Sequence, residues 1–428
     1  MPPPVNDVPL ASPGTYVGDD DFIEPSTRVT IECPNCGLAQ VCGEHTANHK
    51  ITCCRCRSVL AHCAAKSLDA TFACSAAVLL LLIPACTEPF LTTSIFGATR
   101  TSTLPMSAFV LWQEGWPLLA IVVFLFLLLF PVMRFGALVV VLSSIRLGRH
   151  PRWLGFVFRM GNALQTWAML DVFLLGFGVA YARLHASLLV TLDIGAVCFM
   201  AATVLSLVSR ATLDKAQTWH QIAPDSIPKA GEPVIACQCC NYWLPQDQEG
   251  CRCPRCTTIV RHRRANSIPR AIALLIAAVL LYFPANLYPI ATIPIDFKPT
   301  AYTVLGGIVD LARSGLLGLA LIVFCASFTI PLLKMAGLAW CVVSTTRRSN
   351  THLIAKTRVY RAIEEIGRWS MVDPLTIACF VPVLHFNGFV NGSAEAAATP
   401  FAAVAILTTL AVKSFDPRLM WDLADPRT

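Results

Sequence analysis

The apolar positions of this chain fall in long blocks rather than in stripes. Blocks near the length of one bilayer crossing, about 20 residues, recur at roughly 69–89, 112–145, 157–183 and 186–209, and again at 268–290, 303–343, 361–388 and 396–414. They predict a polytopic α-helical membrane protein of eight spans. The second block of each set is too long for one crossing. It is expected to project into the cytoplasm or to kink at Pro131 or Pro331, because a proline removes a backbone donor and bends a helix.

The blocks are also repeated. Cys33, Cys36, Cys53 and Cys56 answer to Cys237, Cys240, Cys253 and Cys256. Pro84 and Pro89 answer to Pro284 and Pro289, Arg134 to Lys334, and Trp167, Met169 and Asp171 to Trp369, Met371 and Asp373. The chain therefore divides into two tandem halves, each a small cysteine-rich module followed by a four-helix membrane module. The boundaries are a disordered tail over 1–30, a ribbon over 31–65, a membrane module over 66–215 and a linker over 216–232. A second ribbon then covers 233–262, a second membrane module 263–416 and a C-terminal tail 417–428.

Composition sharpens the class. Hydrophobic residues make up 55% of the 428 and charged residues 14%, against about 25% charged in ordinary soluble domains. Mean hydropathy is +0.60. So few charges could not cover a soluble surface. The formal net charge of +7 is read as cytoplasmic loops rather than nucleic-acid binding. Arg146, Arg149 and Arg152 follow the second block of the first half, and Arg347, Arg348, Lys356, Arg358 and Arg361 that of the second. The positive-inside rule places these loops in the cytoplasm. With an even number of spans, both termini and both cysteine modules lie there too. No secretory signal pattern opens the chain.

The cysteine modules carry the clearest chemistry. Two C-x-x-C knuckles, sixteen residues apart in the first module and twelve in the second, form a four-thiolate zinc ribbon. Four thiolates close the coordination shell, so two structural zinc ions are expected. Rubredoxin-like iron uses the same ligands and stays open. His45, His49, His62, Cys42, Cys54, Cys63, Cys239 and Cys251 are read as surface or packing residues.

Several segments resemble the paraquat-inducible protein A family: Arg263–Pro289 (RRANSIPRAIALLIAAVLLYFPANLYP), Pro331–Trp340 (PLLKMAGLAW), Ile366–Asp373 (IGRWSMVD) and Ser414–Asp422 (SFDPRLMWD). The likeness runs from residue 31 onward and is strongest in the second half. It implies a bacterial inner-membrane protein with two cytoplasmic zinc ribbons. It also implies a partner with mammalian-cell-entry (MCE) domains that forms a tunnel across the periplasm, and movement of phospholipid or another membrane lipid between membranes.

Ionisable residues at membrane depth are costly and are functional candidates by default. In the second half Ser327, Lys334, Ser370, Asp373 and Thr408 fall on apolar helices at helical spacing, and Lys334 and Asp373 are expected to neutralise each other. Such a set suits a lipid headgroup; it also suits an ion pair that fixes packing, or a snorkelling lysine. Arg134 and Asp171 hold the matching positions of the first half, which lacks the full serine pattern and reads as a scaffold or docking platform. There is no Walker A motif, G-x-S-x-G or HExxH, and no enzyme activity is expected. Three classes follow: a lipid transporter with a tunnel partner, a membrane-anchored zinc-ribbon scaffold, and a membrane thiol oxidoreductase.

Overall fold

The computed structural model describes residues 29–42, 49–63, 68–95, 98–185, 189–224, 233–295, 298–315, 317–367, 369, 385–386, 390–391 and 393–422. Among them, five helices are long and apolar enough to cross a membrane: Leu68–Thr87, Pro117–Arg146, Ile194–Thr212, Ser267–Leu287 and Leu317–Thr346. Leu170–Ala182 and Ala398–Ser414 are shorter apolar helices. The chain is a multi-pass membrane protein, and among the described residues each half runs long helix, two strands, short helix, spanning helix and a further helix, with a strand and another apolar helix later.

The overlong second block resolves differently from expectation. A separate short helix, Met106–Gln113 or Val304–Arg313, ends before the spanning helix begins. The break falls at Gly115 and Gly315, with φ of +86° and +80°. An added Cβ would meet nothing within 4 Å at either glycine, so the left-handed backbone, not lack of room, requires glycine. In the second half this helix, Val304–Arg313, takes the start of the block, but each spanning helix is still 30 residues long, more than the roughly 20 of one crossing. The expected kink positions carry a distinct backbone feature. Each spanning helix widens into a π-turn, Leu125–Leu129 or Cys325–Thr329, just before Pro131 or Pro331. A π-turn relieves the hydrogen bond that proline cannot donate.

The third block breaks as well. Leu154–Leu164 and Leu170–His185 replace the single helix expected over 157–183. The fourth starts later than expected, at Ile194, because β7 (Leu189–Leu192) pairs with β5 (Leu91–Ile95). β5 also pairs with β6 (Ala98–Ser102), giving an antiparallel sheet of order β6-β5-β7. The second half repeats it with β10 (Ala291–Ile295), β11 (Lys298–Tyr302) and β14 (Ser393–Ala394). Each sheet lies at the end of its module opposite the cysteine ribbons.

The ribbons are crossed between the halves. The second ribbon packs on the first membrane module: Arg159 Nη1 donates to Thr258 Oγ1 at 2.8 Å, and Arg255 Nε donates to the Trp219 carbonyl at 2.9 Å. The first ribbon packs on the second module: Arg418 Nη1 donates to Glu32 Oε1 at 2.8 Å, and the Arg55 guanidinium lies 4.9 Å from the Trp421 ring centre. Cys33, Cys36, Cys53 and Cys56 share a buried cluster with Leu338, Phe415 and Trp421 of the second half.

Gly155 makes the second docking possible. A Cβ there would stand 1.8 Å from the Arg255 carbonyl oxygen, a backbone atom that cannot swing aside. Gly155→Ala is expected to lower stability by about 3 kcal/mol, at the upper end of overpacking costs. Thermal melts of detergent-purified protein check it. Gly136→Ala, whose Cβ would meet nothing within 4 Å, is the neutral control.

Candidate metal and lipid sites

Each cysteine knuckle is a tight turn closed by the same two bonds. In the first, Cys33 N donates to the Leu38 carbonyl at 2.9 Å and Gly37 N to the Cys33 carbonyl at 2.9 Å. The residue after each second cysteine, Gly37, Arg57, Asn241 or Thr257, has positive φ. That turn aims two sulfurs at one point. Short hairpins hold the knuckles in register: β1 (Val29–Glu32) with β2 (Ala39–Cys42), β3 (His49–Thr52) with β4 (Val59–Cys63), and β8 (Val234–Ala236) with β9 (Trp243–Pro245).

The result is two buried groups, Cys33, Cys36, Cys53 and Cys56 in one and Cys237, Cys240, Cys253 and Cys256 in the other, with all sulfurs of a group within 4.8 Å of one another. Cross-knuckle pairs lie at 3.5 Å (Cys33–Cys56, Cys36–Cys53, Cys237–Cys256) and 3.6 Å (Cys240–Cys253). A tetrahedron with metal–sulfur bonds of about 2.3 Å has edges of about 3.8 Å, so the groups fit one metal ion each. Hydrogen bonds from Cys36, Cys53 and Cys56 pull the Cys33 thiol far below the ordinary thiol range. Those from Cys237, Cys239 and Cys240 do the same for Cys256. The same bonds push the Cys36 and Cys240 thiols up, so thiolate sits beside thiol in each group, and a bound soft cation is what lets all four ionise. Cys54, Cys239 and Cys251 are exposed and belong to neither group.

Sequence reasoning passed over a hydroxyl two residues beyond each second knuckle. Ser58 Oγ lies 2.8 Å from Cys56 Sγ and 3.2 Å from Cys33 Sγ, and Thr258 Oγ1 lies 3.3 Å from Cys256 Sγ. The signal was the shared spacing C-x-[S/T]. A hydroxyl donor disperses thiolate charge and orients the ligand. Ser58→Ala is expected to weaken metal retention at the first group by about tenfold, the low end for such outer partners. Chelator competition measures it.

The intramembrane candidates come together in part. Lys334 is 2% exposed. Its Nζ donates to the Gly367 carbonyl at 3.0 Å and to Thr409 Oγ1 at 3.2 Å. Gly367 caps the helix Leu353–Ile366, so the cation sits at the negative end of a helix dipole. Thr408 is buried, and its hydroxyl bonds back to the Ala405 carbonyl. Thr409, its neighbour, is the hydroxyl that reaches Lys334; the Thr-Thr pair was visible in sequence, but which one faces Lys334 was not. Ser327 is fully buried inside the π-turn and donates to the Val323 carbonyl at 2.7 Å. Across that turn the ordinary helical spacing to Lys334 no longer holds. Ser370 and Asp373 lie outside the described residues.

In the first half Arg134 is also buried, at 2% exposure, with its guanidinium 5.1 Å from the Phe135 ring centre. Asp171 has a partner the sequence did not suggest: Arg210 Nη1 donates to its Oδ2 at 3.2 Å. Arg210 Nη2 also donates to the Ala168 carbonyl at 3.0 Å. Ala168 sits in the break of the third block, where non-helical backbone at membrane depth needs a protein donor. The halves align through Gly195 N donating to the Pro89 carbonyl and Ala397 N to the Pro289 carbonyl. In that register Val412 replaces Arg210, Leu207 stands at Thr409, and Gln165 at Gly367.

Comparison with known proteins agrees with this division. The chain is 28% identical over 404 residues to the intermembrane transport protein PqiA of Escherichia coli, covering 92% of this chain and 95% of the relative. It is 29% identical over 391 residues to the lipophilic envelope-spanning tunnel protein A of Escherichia coli, covering 91% and 90%. A probable intermembrane transport protein of Haemophilus influenzae is 22% identical over 423 residues, covering 94% and 99%. No solved structure matches the chain. The family model for paraquat-inducible protein A matches twice, over 68–223 and 268–425, once on each membrane module. With both of its repeated modules matched, this chain belongs to the paraquat-inducible protein A family.

Proposed function

We propose that this protein is the inner-membrane component of an intermembrane lipid transport system. It moves or loads lipid between the inner membrane and a periplasm-spanning tunnel partner built from MCE domains. The names of its relatives, an intermembrane transport protein and an envelope-spanning tunnel protein, support transport between membranes as the common theme. Eight spans place both termini and both ribbons in the cytoplasm, in keeping with the basic residues after each long helix. The two small sheets then face the periplasm and the partner. Each four-cysteine group holds one structural zinc, by Cys33, Cys36, Cys53 and Cys56 and by Cys237, Cys240, Cys253 and Cys256. Zinc supplies folding free energy there and no chemistry of transport.

One observation carries the reading: Lys334, a cation buried in the 30-residue apolar helix Leu317–Thr346 and donating to the neutral oxygens of Gly367 and Thr409. Asp373 is the proposed counter-charge, and Ser327, Ser370 and Thr408 complete a polar lining. A phosphate-bearing headgroup suits such a lining, because an ammonium and hydroxyls bond its oxygens while the acyl chains remain in apolar surroundings. In the first half Arg210 already neutralises Asp171, which favours a scaffold role for that module. No enzymatic step belongs to this chain.

The test is photocrosslinking from a light-activated residue at position 409 of the full-length protein in native membranes. Capture of phospholipid there, and not from position 206 of the first half, which is buried like Thr409, is the expected result. Equal capture at both positions, or none at 409 in a protein that still transfers lipid, overturns the reading.

A further inference from the structure

We propose that Arg418 is a positioning residue that latches the first four-cysteine ribbon to the Lys334 site of the opposite half, so that the metal state of that ribbon sets the geometry of the site. The idea rests on the proposed role of Lys334.

The segment 415–422 joins the first ribbon to the helices of the second membrane module. Arg418 is 5% exposed. It reaches out to the ribbon, donating from Nη1 to Glu32 Oε1 at 2.8 Å and from Nε to the Pro34 carbonyl at 3.3 Å. Both acceptors flank Cys33 in the first knuckle. Asp416 accepts from Arg418 N and Arg264 N, each at 3.1 Å, and its own N–H donates to Ser267 Oγ at 2.7 Å. From the same segment, Trp421 Nε1 donates to Thr357 Oγ1 at 3.0 Å. Thr357 lies on the helix Leu353–Ile366, whose end supplies the Gly367 carbonyl to Lys334. Tyr360 of that helix donates to the Val412 carbonyl at 3.1 Å. Val412 lies on the helix Ala398–Ser414, which supplies Thr409.

The ribbon therefore holds, through one short segment, both helices that carry the acceptors of Lys334. A charge-assisted, buried bond such as Arg418 to Glu32 is among the strong ones. It persists only while the knuckle keeps its shape, and that shape depends on the four sulfurs sharing a metal. Loss of the metal frees Glu32 and Pro34 as partners, and with them the common anchor of Gly367 and Thr409.

Hydrogen exchange of the full-length protein in lipid nanodiscs tests this, with lipid transfer read in parallel. Arg418→Ala is expected to speed exchange of 353–366 and 405–414 about tenfold, the loss of one charge-assisted bond, while metal content stays unchanged. The segments 154–164 and 194–212 should not respond. Glu32→Arg combined with Arg418→Glu is expected to restore slow exchange. Cys33→Ser should reproduce the exchange pattern of Arg418→Ala, in the second half rather than beside the ribbon at 68–87. Faster exchange at 68–87 with 353–366 unchanged overturns the latch, as does a reversed pair no better than Arg418→Ala. Faster exchange at 353–366 with normal lipid transfer upholds the latch and rejects the transport role of Lys334.

Discussion

Lys334→Ala is expected to reduce lipid transfer by at least a hundredfold while leaving two metal ions per chain. Lys334 is buried at membrane depth and bonds Gly367 and Thr409. A lysine at the centre of a span costs about 2.5–3.5 kcal/mol even on the lenient insertion scale. Such a cost persists where the charge is used. Asp373→Ala should have the same effect on transfer, and the double variant separates the explanations. An ion pair that only fixes packing tolerates joint removal better than single removal, since no unpaired charge remains. A transport pair stays inactive in the double variant. Transfer between donor and acceptor vesicles, with the partner supplied, gives the readout. Normal transfer by both single variants would mean that Lys334 serves packing alone.

Removing one ligand of the second cysteine group has the largest expected effect on folding. Cys253→Ser should lower the metal content from two ions per chain to one and unfold residues 234–260. Structural zinc contributes about 10–16 kcal/mol to the folding of so small a module, and β8 and β9 are only three residues each. The damage should spread into the first half. Trp219, edge to face with Phe158 at 4.8 Å, loses the Arg255 guanidinium, which lies 5.9 Å from its ring centre. Protease cleavage at 215–222 should then appear, with the first ribbon and its metal intact. Two ions remaining in Cys253→Ser would show that the group binds metal by other ligands.

Much of this architecture could be read without coordinates. Cysteine spacing is a local matter, because a knuckle is a turn of a few residues and its sulfurs converge wherever the ribbon docks. Membrane helices declare themselves by length and apolar content, since in lipid each backbone donor must be satisfied within its own segment. The tandem repeat followed from matched prolines, tryptophans and cysteines. Lys334 and Asp171 stood out as charges in apolar runs.

The partners of those charges were a different matter. Asp171 pairs with Arg210, thirty-nine residues away on another helix. Lys334 chooses Thr409 over its neighbour Thr408 and takes a carbonyl at a helix end. Such choices depend on helix rotation and on where helices break, and a π-turn shifts rotation without leaving a mark in hydropathy. The break at 165–169 left only a weak mark, the two polar residues Gln165 and Thr166 within a mostly apolar block.

The amino-acid order alone determined the chemistry of this protein: two four-cysteine groups able to hold a metal ion, a duplicated set of apolar helices and a few ionisable residues placed within them. Tertiary structure alone decided that the ribbons cross, the first covering the second module and the second the first. Local rules cannot express that choice. It depends on surfaces a hundred or more residues apart, on the bare Cα of Gly155 against the Arg255 carbonyl and on Arg418 against Glu32. Those surfaces acquire their complementary shapes only after the helices have packed.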